Sequence, residues 1–348
     1  MSESHLTRRQ FHQAAAAAGL AAGAAAAGPA RAAESESPRI LCQSADMEYR
    51  RLGKTGLMVS CVCLGGHWKR IDVMKQDFDQ NRRDVVTRCM EVGINYIDAC
   101  CEPEVVAYAK ALEGRRDQMY MALSHCAKEV RDPQYRTAGK LLESLDELLG
   151  KAKQEYTDLW RITCFEPGGK HDFNTMCETA DALATAKKQG KARHVGISSH
   201  DRRWLKAMVE LFPHIEVVLF PYTAKTKELP EDSLFGALKT CDVGSFGIKP
   251  FASNSIFKGD SSPGSPDAEE DDRRARLILR FILLNQAITA PIPGLISPHQ
   301  VDNVALAVKE RRQLDLADQE KAEVQRIMDE AWANLPPGYG WLKDWEYV

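Results

Sequence analysis

Residues able to do acid–base, nucleophilic or metal chemistry cluster where apolar runs of this chain end: His67, Asp98, Cys100, Cys101, His125, Cys126, Thr163, Cys164 and His200. Asp98 stands at the end of the run Asn95–Ala99, where a carboxylate is costly unless it is paired. His125, with an ordinary pKa near 6.5, suits a general acid. Thr163 offers a hydroxyl, and Arg161 two residues earlier shares its face if the segment is a strand. That arginine either pairs a carboxylate in the wall or binds a substrate anion. A thiolate beside a histidine would be a nucleophile. The same His/Cys/Asp types ligate transition metals, but they come from separate runs without regular spacing, so no metal ligand is assigned. Cys100, Cys126 and Cys164 read as packed thiols, and adjacent Cys100 and Cys101 point to opposite faces if extended.

These residues need a scaffold that brings strand ends together. Short apolar runs expected as strands are Ser60–Gly65, Asn95–Ala99, Met119–Leu123, Asp158–Thr163, Ala192–Ile197, Val217–Phe220, Phe246–Lys249 and Thr289–Ile292. They alternate with helix-period segments Asn81–Val92, Val105–Glu113, Thr137–Leu149, Phe173–Gln189, Arg202–Leu211, Asp232–Lys239, Arg273–Asn285 and Pro298–Lys309. Eight such units, with strands apolar on both faces, predict an α/β fold of the (β/α)8 TIM-barrel type. A hairpin over Met47–Ser60 precedes it, and a further helix, Ala317–Leu335, follows it. An open doubly wound sheet would want a G-x-G-x-x-G turn at the first helix, and Leu64-Gly65-Gly66-His67 is not one. The Ser/Pro/Gly/acid-rich segment Lys258–Asp272 falls on the ligand-binding rim, where mobile lids are common. Tyr339, Trp341, Trp345 and Tyr347 form an aromatic tail able to cap either the mouth or the base of the barrel.

The 348 residues carry 46 Lys+Arg against 49 Asp+Glu, with 44% hydrophobic content. This is the make-up of a globular protein, and the near-neutral balance gives no electrostatic reason to expect nucleic acid as a partner. Residues 1–33 read as an export signal rather than fold: Arg8-Arg9-Gln10-Phe11, an Ala/Gly-rich stretch from Ala14 to Ala27, and the cleavage pattern Ala30-Arg31-Ala32. The paired arginines resemble a twin-arginine signal, which implies that export machinery as a partner and a periplasmic destination. The stretch is too short and too poor in Leu and Ile to remain as a membrane anchor. An extended leader, 34–46, would then lead into one domain over 47–348.

Several segments together resemble the aldo-keto reductase family: Tyr49-Arg50-Arg51-Leu52-Gly53-Lys54-Thr55-Gly56-Leu57, Leu64-Gly65-Gly66, Gly93-Ile94-Asn95-Tyr96-Ile97-Asp98, Gly190-Lys191-Ala192-Arg193-His194-Val195-Gly196-Ile197-Ser198, Lys249-Pro250-Phe251-Ala252, and Ile292-Pro293-Gly294 followed by Ser297-Pro298-His299-Gln300. The resemblance implies NAD(P)H-dependent reduction of a small carbonyl substrate, or the reverse, at the mouth of the barrel. It also implies a catalytic Tyr, Asp, Lys and His. Asp98 matches the family Asp, but no Tyr follows in Ala99-Cys100-Cys101-Glu102-Pro103-Glu104, and the nearest phenol is Tyr108 on the next helix. The Lys position falls within Leu123-Ser124-His125, taken as His125. The His position falls within Ile162-Thr163-Cys164, taken as Thr163. On the cofactor side the resemblance assigns Ser198 and Ser199 to the carboxamide, Tyr222 to stacking on the nicotinamide ring and Lys249 to the pyrophosphate. It further assigns Gly294 and Asn303 to the dinucleotide, whether NADP or NAD. Ser297 stands where a basic residue usually holds the 2′-phosphate. Asp98, His125 and Thr163 are therefore the expected catalytic set. Two alternatives remain at this point, a catalytically silent barrel that binds a small molecule or partner protein, and a metal site at His67, His125 and nearby cysteines.

Overall fold

The computed structural model describes residues 39–68, 70–164, 171–226 and 233–343. The export signal, the leader up to residue 38, and Trp345 and Tyr347 lie outside the described residues. A hairpin opens the fold, β1 (Tyr49–Arg51) pairing antiparallel with β2 (Met58–Ser60). Eight parallel strands follow: β3 (Leu64–Gly65), β4 (Tyr96–Ala99), β5 (Tyr120–Leu123), β6 (Thr157–Thr163), β7 (Ala192–Ser198), β8 (Val217–Pro221), β9 (Gly244–Ile248) and β10 (Ala290–Ile292). Each pairs with its neighbour in sequence order. The Gly65 N–H donates to the Pro293 carbonyl at 2.8 Å and that of Cys63 to Pro291 at 3.1 Å, which join the first strand to the last and close the cylinder. The expected (β/α)8 barrel is therefore the observed one.

Among the described residues, eight helices fill the crossovers: α1 (Phe78–Val92), α2 (Glu102–Ala111), α3 (Ala138–Ala152), α4 (Phe173–Lys188), α5 (Arg202–Leu211), α6 (Leu234–Thr240), α7 (Ala268–Ile282) and α8 (Pro298–Gln313), with α9 (Asp318–Ala333) after them. Local chemistry sets their starts. Asp77, Thr137, Asp172, Asp201 and Ser297 each accept a hydrogen bond from a first-turn N–H. Capping by Asp77 starts α1 three residues before the apolar period begins. Helix α7 likewise starts at Ala268, not Arg273, because Glu269, Glu270 and Asp271 sit favourably in its first turn.

Two apolar cores result. The larger lies between strands and helices. The smaller fills the lower lumen with Tyr96, Ala122, Leu159, Val217, Leu219, Phe246, Ala290 and Ile292, and the hairpin's Leu52 and Val59 plug it from below. The part of the leader that is described is not extended. It turns at Leu41 and Cys42 and docks on the barrel, with the Asn95 amide donating to the Leu41 carbonyl. Among the described residues, no helix is long and apolar enough to cross a membrane.

Candidate active site at the barrel mouth

Strand parity decides which chemical groups reach the lumen. In β4 the inward residues are Tyr96 and Asp98, and in β6 they are Leu159, Arg161 and Thr163, so the apolar lower layer is continued upward by polar side chains. Ser198 ends β7 on the same side. Asp98, Arg161, Thr163 and Ser198 thus line a cavity of about 400 Å³ that opens at the C-terminal ends of the strands. His67, Cys100 and Cys126 stand on its rim. Gly338, Tyr339 and Trp341 of the aromatic tail lie across it, so the tail caps the mouth and not the base. The Trp341 ring stacks on His200 at 4.0 Å.

A buried hydrogen-bonded chain runs from this floor into the wall. Asp98 accepts two bonds from Arg161, Nε to Oδ1 at 2.7 Å and Nη2 to Oδ2 at 2.6 Å. Arg161 Nη1 donates to Thr163 Oγ1 at 2.9 Å, and that hydroxyl lies 2.7 Å from Ser124 Oγ. Ser124 Oγ bonds Glu129 Oε2, again at 2.7 Å. Burial pushes the Asp98 carboxyl above the usual range against the pull of Arg161. Because both its oxygens accept from the guanidinium, Asp98 orients Arg161. Glu129 differs. It is fully buried, without a cationic partner in contact among the described residues, and burial raises its pKa to about 7 despite three donors, the Ser124 hydroxyl and the backbone N–H groups of His125 and Thr163. Near neutral pH this carboxyl can hold a proton at the end of a two-hydroxyl path to the cavity.

His125 does not join this set. Ala122 faces the lumen, so Ser124 takes the next inward position and His125 turns to the helix side. Its ring stands 3.4 Å from the Glu102 carboxylate without a hydrogen bond on either nitrogen among the described residues, and burial with nearby Lys128 pushes its pKa down. The same placement separates it from His67, so the structure does not bring together the two histidines of the metal alternative. Glu102 and Glu147 beside His125 are already ion-paired with Lys151 and Lys128.

The expected cofactor residues divide in the same way. Ser198 and Gly294 line the mouth. Ser199 alternates away, and its hydroxyl accepts from the Asp201 N–H at the start of α5. Tyr222 has the parity of Phe220, packs edge-on against Phe220 and Phe235, and meets Asn285 through its hydroxyl, so it is not placed to stack in the mouth. Lys249, next after inward Ile248, itself falls on an outward position, but its φ of 61° swings it back to the cavity, where Nζ donates to His200 Nε2 at 3.2 Å. Burial, Lys249 and Arg131 push His200 down to about 2, leaving it neutral and able to accept. Tyr108 is behind the wall, its hydroxyl donating to the Gly65 carbonyl at 2.6 Å. Sequence reading missed Glu129, which carries no motif because it lies in a loop. Ser124 was within the segment considered, and parity from Ala122 is the signal that selects it.

A second cavity of about 670 Å³ adjoins the first, sharing Phe251, Asn254 and Gly294. Its walls come from the 258–267 loop, α7 and the N-terminus of α8, and Asn303 is among them, held by Arg276 and the Asp272 carbonyl. The connecting segment Lys249–Asn254 has positive φ at Lys249, Ala252, Ser253 and Asn254, none of them glycine. Such strain, of order 1–3 kcal/mol per residue, collects where ligands are held.

Comparison with known proteins agrees with this architecture. A model of the "Aldo/keto reductase family" matches residues 63–276, more than half of the chain. An L-galactose dehydrogenase of Arabidopsis thaliana is 24% identical over 307 residues, covering 81% of this chain and 95% of its own. An L-glyceraldehyde 3-phosphate reductase of Escherichia coli O157:H7 is 27% identical, covering 66% of this chain and 68% of its own. Among solved structures, the holo form of an aldo-keto reductase from Bacillus halodurans superposes with a TM-score of 0.62 at 21% identity, covering 84% of this chain and 99% of that one. An aldo-keto reductase from Klebsiella pneumoniae in complex with NADPH gives 0.62 at 16% identity, covering 81% and 95%.

Proposed function

The chain belongs to the aldo/keto reductase family, and from that premise we propose that it is an oxidoreductase that binds a nicotinamide dinucleotide across its two joined cavities and reduces a small carbonyl compound at the barrel mouth, or runs the reverse reaction. The observation that carries this reading is the Thr163 hydroxyl on the cavity floor, backed through Ser124 by a carboxyl with a pKa near 7. The two cavities, meeting at Gly294, suit a ligand with two ring-bearing halves, and the α8 N-terminus in the wall of the second suits an anionic group. Ser198 and Lys249 line the mouth half, while Gly294 and Asn303 line the other. Bound there, the dinucleotide supplies the hydride.

The protein's own residues supply the proton. When Glu129 carries its proton, the Ser124 hydroxyl turns from donating to Glu129 to accepting from it and donates to Thr163. As negative charge builds on the carbonyl oxygen, Thr163 Oγ1 then gives its proton to that oxygen, Ser124 Oγ re-protonates Thr163, and Glu129 Oε2 re-protonates Ser124. Arg161, held by Asp98, keeps its Nη1 on Thr163 Oγ1 and stabilises the charge that develops beside it. Ser124 and Glu129 act through Thr163 and are positioning and proton-holding residues.

None of the described residues lining the second cavity is Lys or Arg, and Glu269, Asp271 and Asp272 are among them. A 2′-phosphate meets no Lys or Arg among them, so NADH is expected to bind at least as tightly as NADPH. Titration of either cofactor against the tryptophan fluorescence of the protein tests the reading, with Trp341 at the mouth as a built-in donor. Absence of quenching at millimolar cofactor removes the proposal. With an accepted substrate, Thr163→Val should lower kcat by roughly a hundredfold without weakening cofactor binding. Should Tyr339→Phe rather than Thr163→Val abolish turnover, the donor is the tail phenol and the relay is wrong.

We also read residues 1–33 as a twin-arginine export signal with a periplasmic destination. The supports are the Arg8-Arg9 pair, the Ala/Gly-rich stretch and the Ala30-Arg31-Ala32 pattern.

A further inference from the structure

We propose that Cys100 and Cys126 form a redox-active dithiol on the rim of the mouth, Cys100 attacking and Cys126 resolving, whose substrates are low-molecular-weight disulfides. The two residues continue neighbouring parallel strands β4 and β5, and the Cys126 N–H donates to the Cys100 carbonyl at 3.1 Å. This bond lies beyond the last ladder pair, Ala99 with Leu123, and brings the two backbones into direct contact, as a disulfide between them requires. Both are partly exposed and both line the same cavity.

One buried carboxylate organises the site. Glu104 Oε2 accepts from the Cys100 N–H at 2.7 Å, and its Oε1 lies 2.9 Å from His67 Nδ1 while also accepting the His67 N–H. The His67 ring and Cys100 line the same rim, and this one carboxylate holds both. Gly66 is required for this arrangement, because a Cβ there would fall 1.9 Å from Glu104 Oε2. The result is a thiol, an imidazole and a carboxylate grouped on one rim, the set of groups that activates nucleophilic cysteines. The Cys126 thiol, with His67 and Arg161, holds Cys100 well below the ordinary thiol range, and Cys100 with Glu104 holds His67 above its own. Burial pushes Cys42, Cys61, Cys63, Cys89, Cys101 and Cys164 the opposite way.

The chemistry balances without a further reactant. The Cys100 thiolate attacks one sulfur of the substrate disulfide, whose S–S bond breaks, and the departing thiolate takes a proton from the His67 imidazolium. His67 then receives the proton of Cys126, whose sulfur attacks Cys100, and the second departing thiolate takes that proton back. One disulfide is reduced to two thiols, and the protein's two thiols are oxidised to one disulfide. Nothing in this step needs the nicotinamide reading, and its test is read without cofactor.

Oxidised glutathione is the probe. Incubated with the reduced full-length protein and mapped by peptide mass spectrometry after alkylation, it should yield a Cys100–Cys126 link with loss of two hydrogens, reversed by dithiothreitol. Cys126→Ser should stop at one glutathione on Cys100, and Cys100→Ser should give neither link nor adduct at Cys126. In the unmutated protein at pH 6, iodoacetamide should modify Cys100 on the order of tenfold faster than Cys101, an advantage that His67→Gln removes. A link from Cys100 to Cys101, no link at all, or Cys100 alkylation following an ordinary thiol titration near 8.5 overturns the proposal.

Discussion

Glu129 sits at the inner end of the relay, and its chemistry makes two pH effects expected. Its folded pKa, about 7, lies above the ordinary carboxylate value of 4.5. The neutral form is therefore the one the fold favours. Its contribution to stability is full below the unfolded value and is lost as pH rises through about 7. Urea midpoints should fall between about pH 5 and pH 8, and Glu129→Gln, neutral throughout, should flatten that fall. The same proton feeds Thr163, so carbonyl reduction should decline above about pH 7 in the unmutated chain. A Gln variant that keeps both the urea profile and the rate profile of the parent would show that Glu129 is not the group titrating. Asp98 illustrates the opposite case at this scale. A buried carboxylate tied to arginine through two N–H···O bonds is structural support for its neighbour, although its position alone marks it as a proton carrier.

The elements carry the parity on which the site depends, and the hairpin keeps the lower lumen closed beneath it. Gly53 makes that closure possible. Its φ is +47°, and a Cβ there would meet the Gly244 nitrogen at 2.2 Å and the Asp242 carbonyl oxygen at 2.6 Å. Neither backbone atom can move without shifting β9. Gly53→Ala should cost roughly 1–3 kcal/mol by urea denaturation, with the fold retained; an unchanged midpoint would mean the hairpin tip does not hold this contact in solution. Elements also explain where sequence reading of the helices slipped. Apolar period marks the middle of a helix, whereas Asp77 before α1 and the acidic first turn of α7 set the starts by capping and dipole effects. The loop taken as fifteen residues is correspondingly shorter. It is tied down by Asp271, which accepts from the N–H groups of Lys258 and Gly259, and by Arg70, which donates to the Gly259 carbonyl.

At the scale of the whole molecule, the barrel is one body from the leader's docked end to the aromatic tail, with chemistry confined to the C-terminal ends of its strands. If the N-terminal segment is a twin-arginine signal, the mature protein should begin just after Ala30-Arg31-Ala32, and replacing Arg8 and Arg9 by Lys should leave the uncut chain in the cytoplasm. Mass measurement of the protein from each cell fraction decides this; uncleaved protein from the unchanged chain, or export that ignores the substitution, removes the assignment.

The barrel itself, the order of its eight units, the hairpin and the final helix were legible in the sequence, because alternation of short apolar runs with helix-period segments is a local pattern that burial on both faces enforces. Asp98 and Thr163 were legible for the same reason, standing at strand ends on the inward parity. Ser124 in place of His125, the outward turn of Ser199 and Tyr222, and the return of Lys249 through a left-handed φ were decided only in three dimensions. Each depends on where a strand's alternation begins or breaks, and a shift of one residue sends a side chain to the other face of the wall. The Glu129 relay and the Cys100–His67–Glu104 cluster join residues from separate loops and strand ends, and only closure of the cylinder brings those within reach of one another.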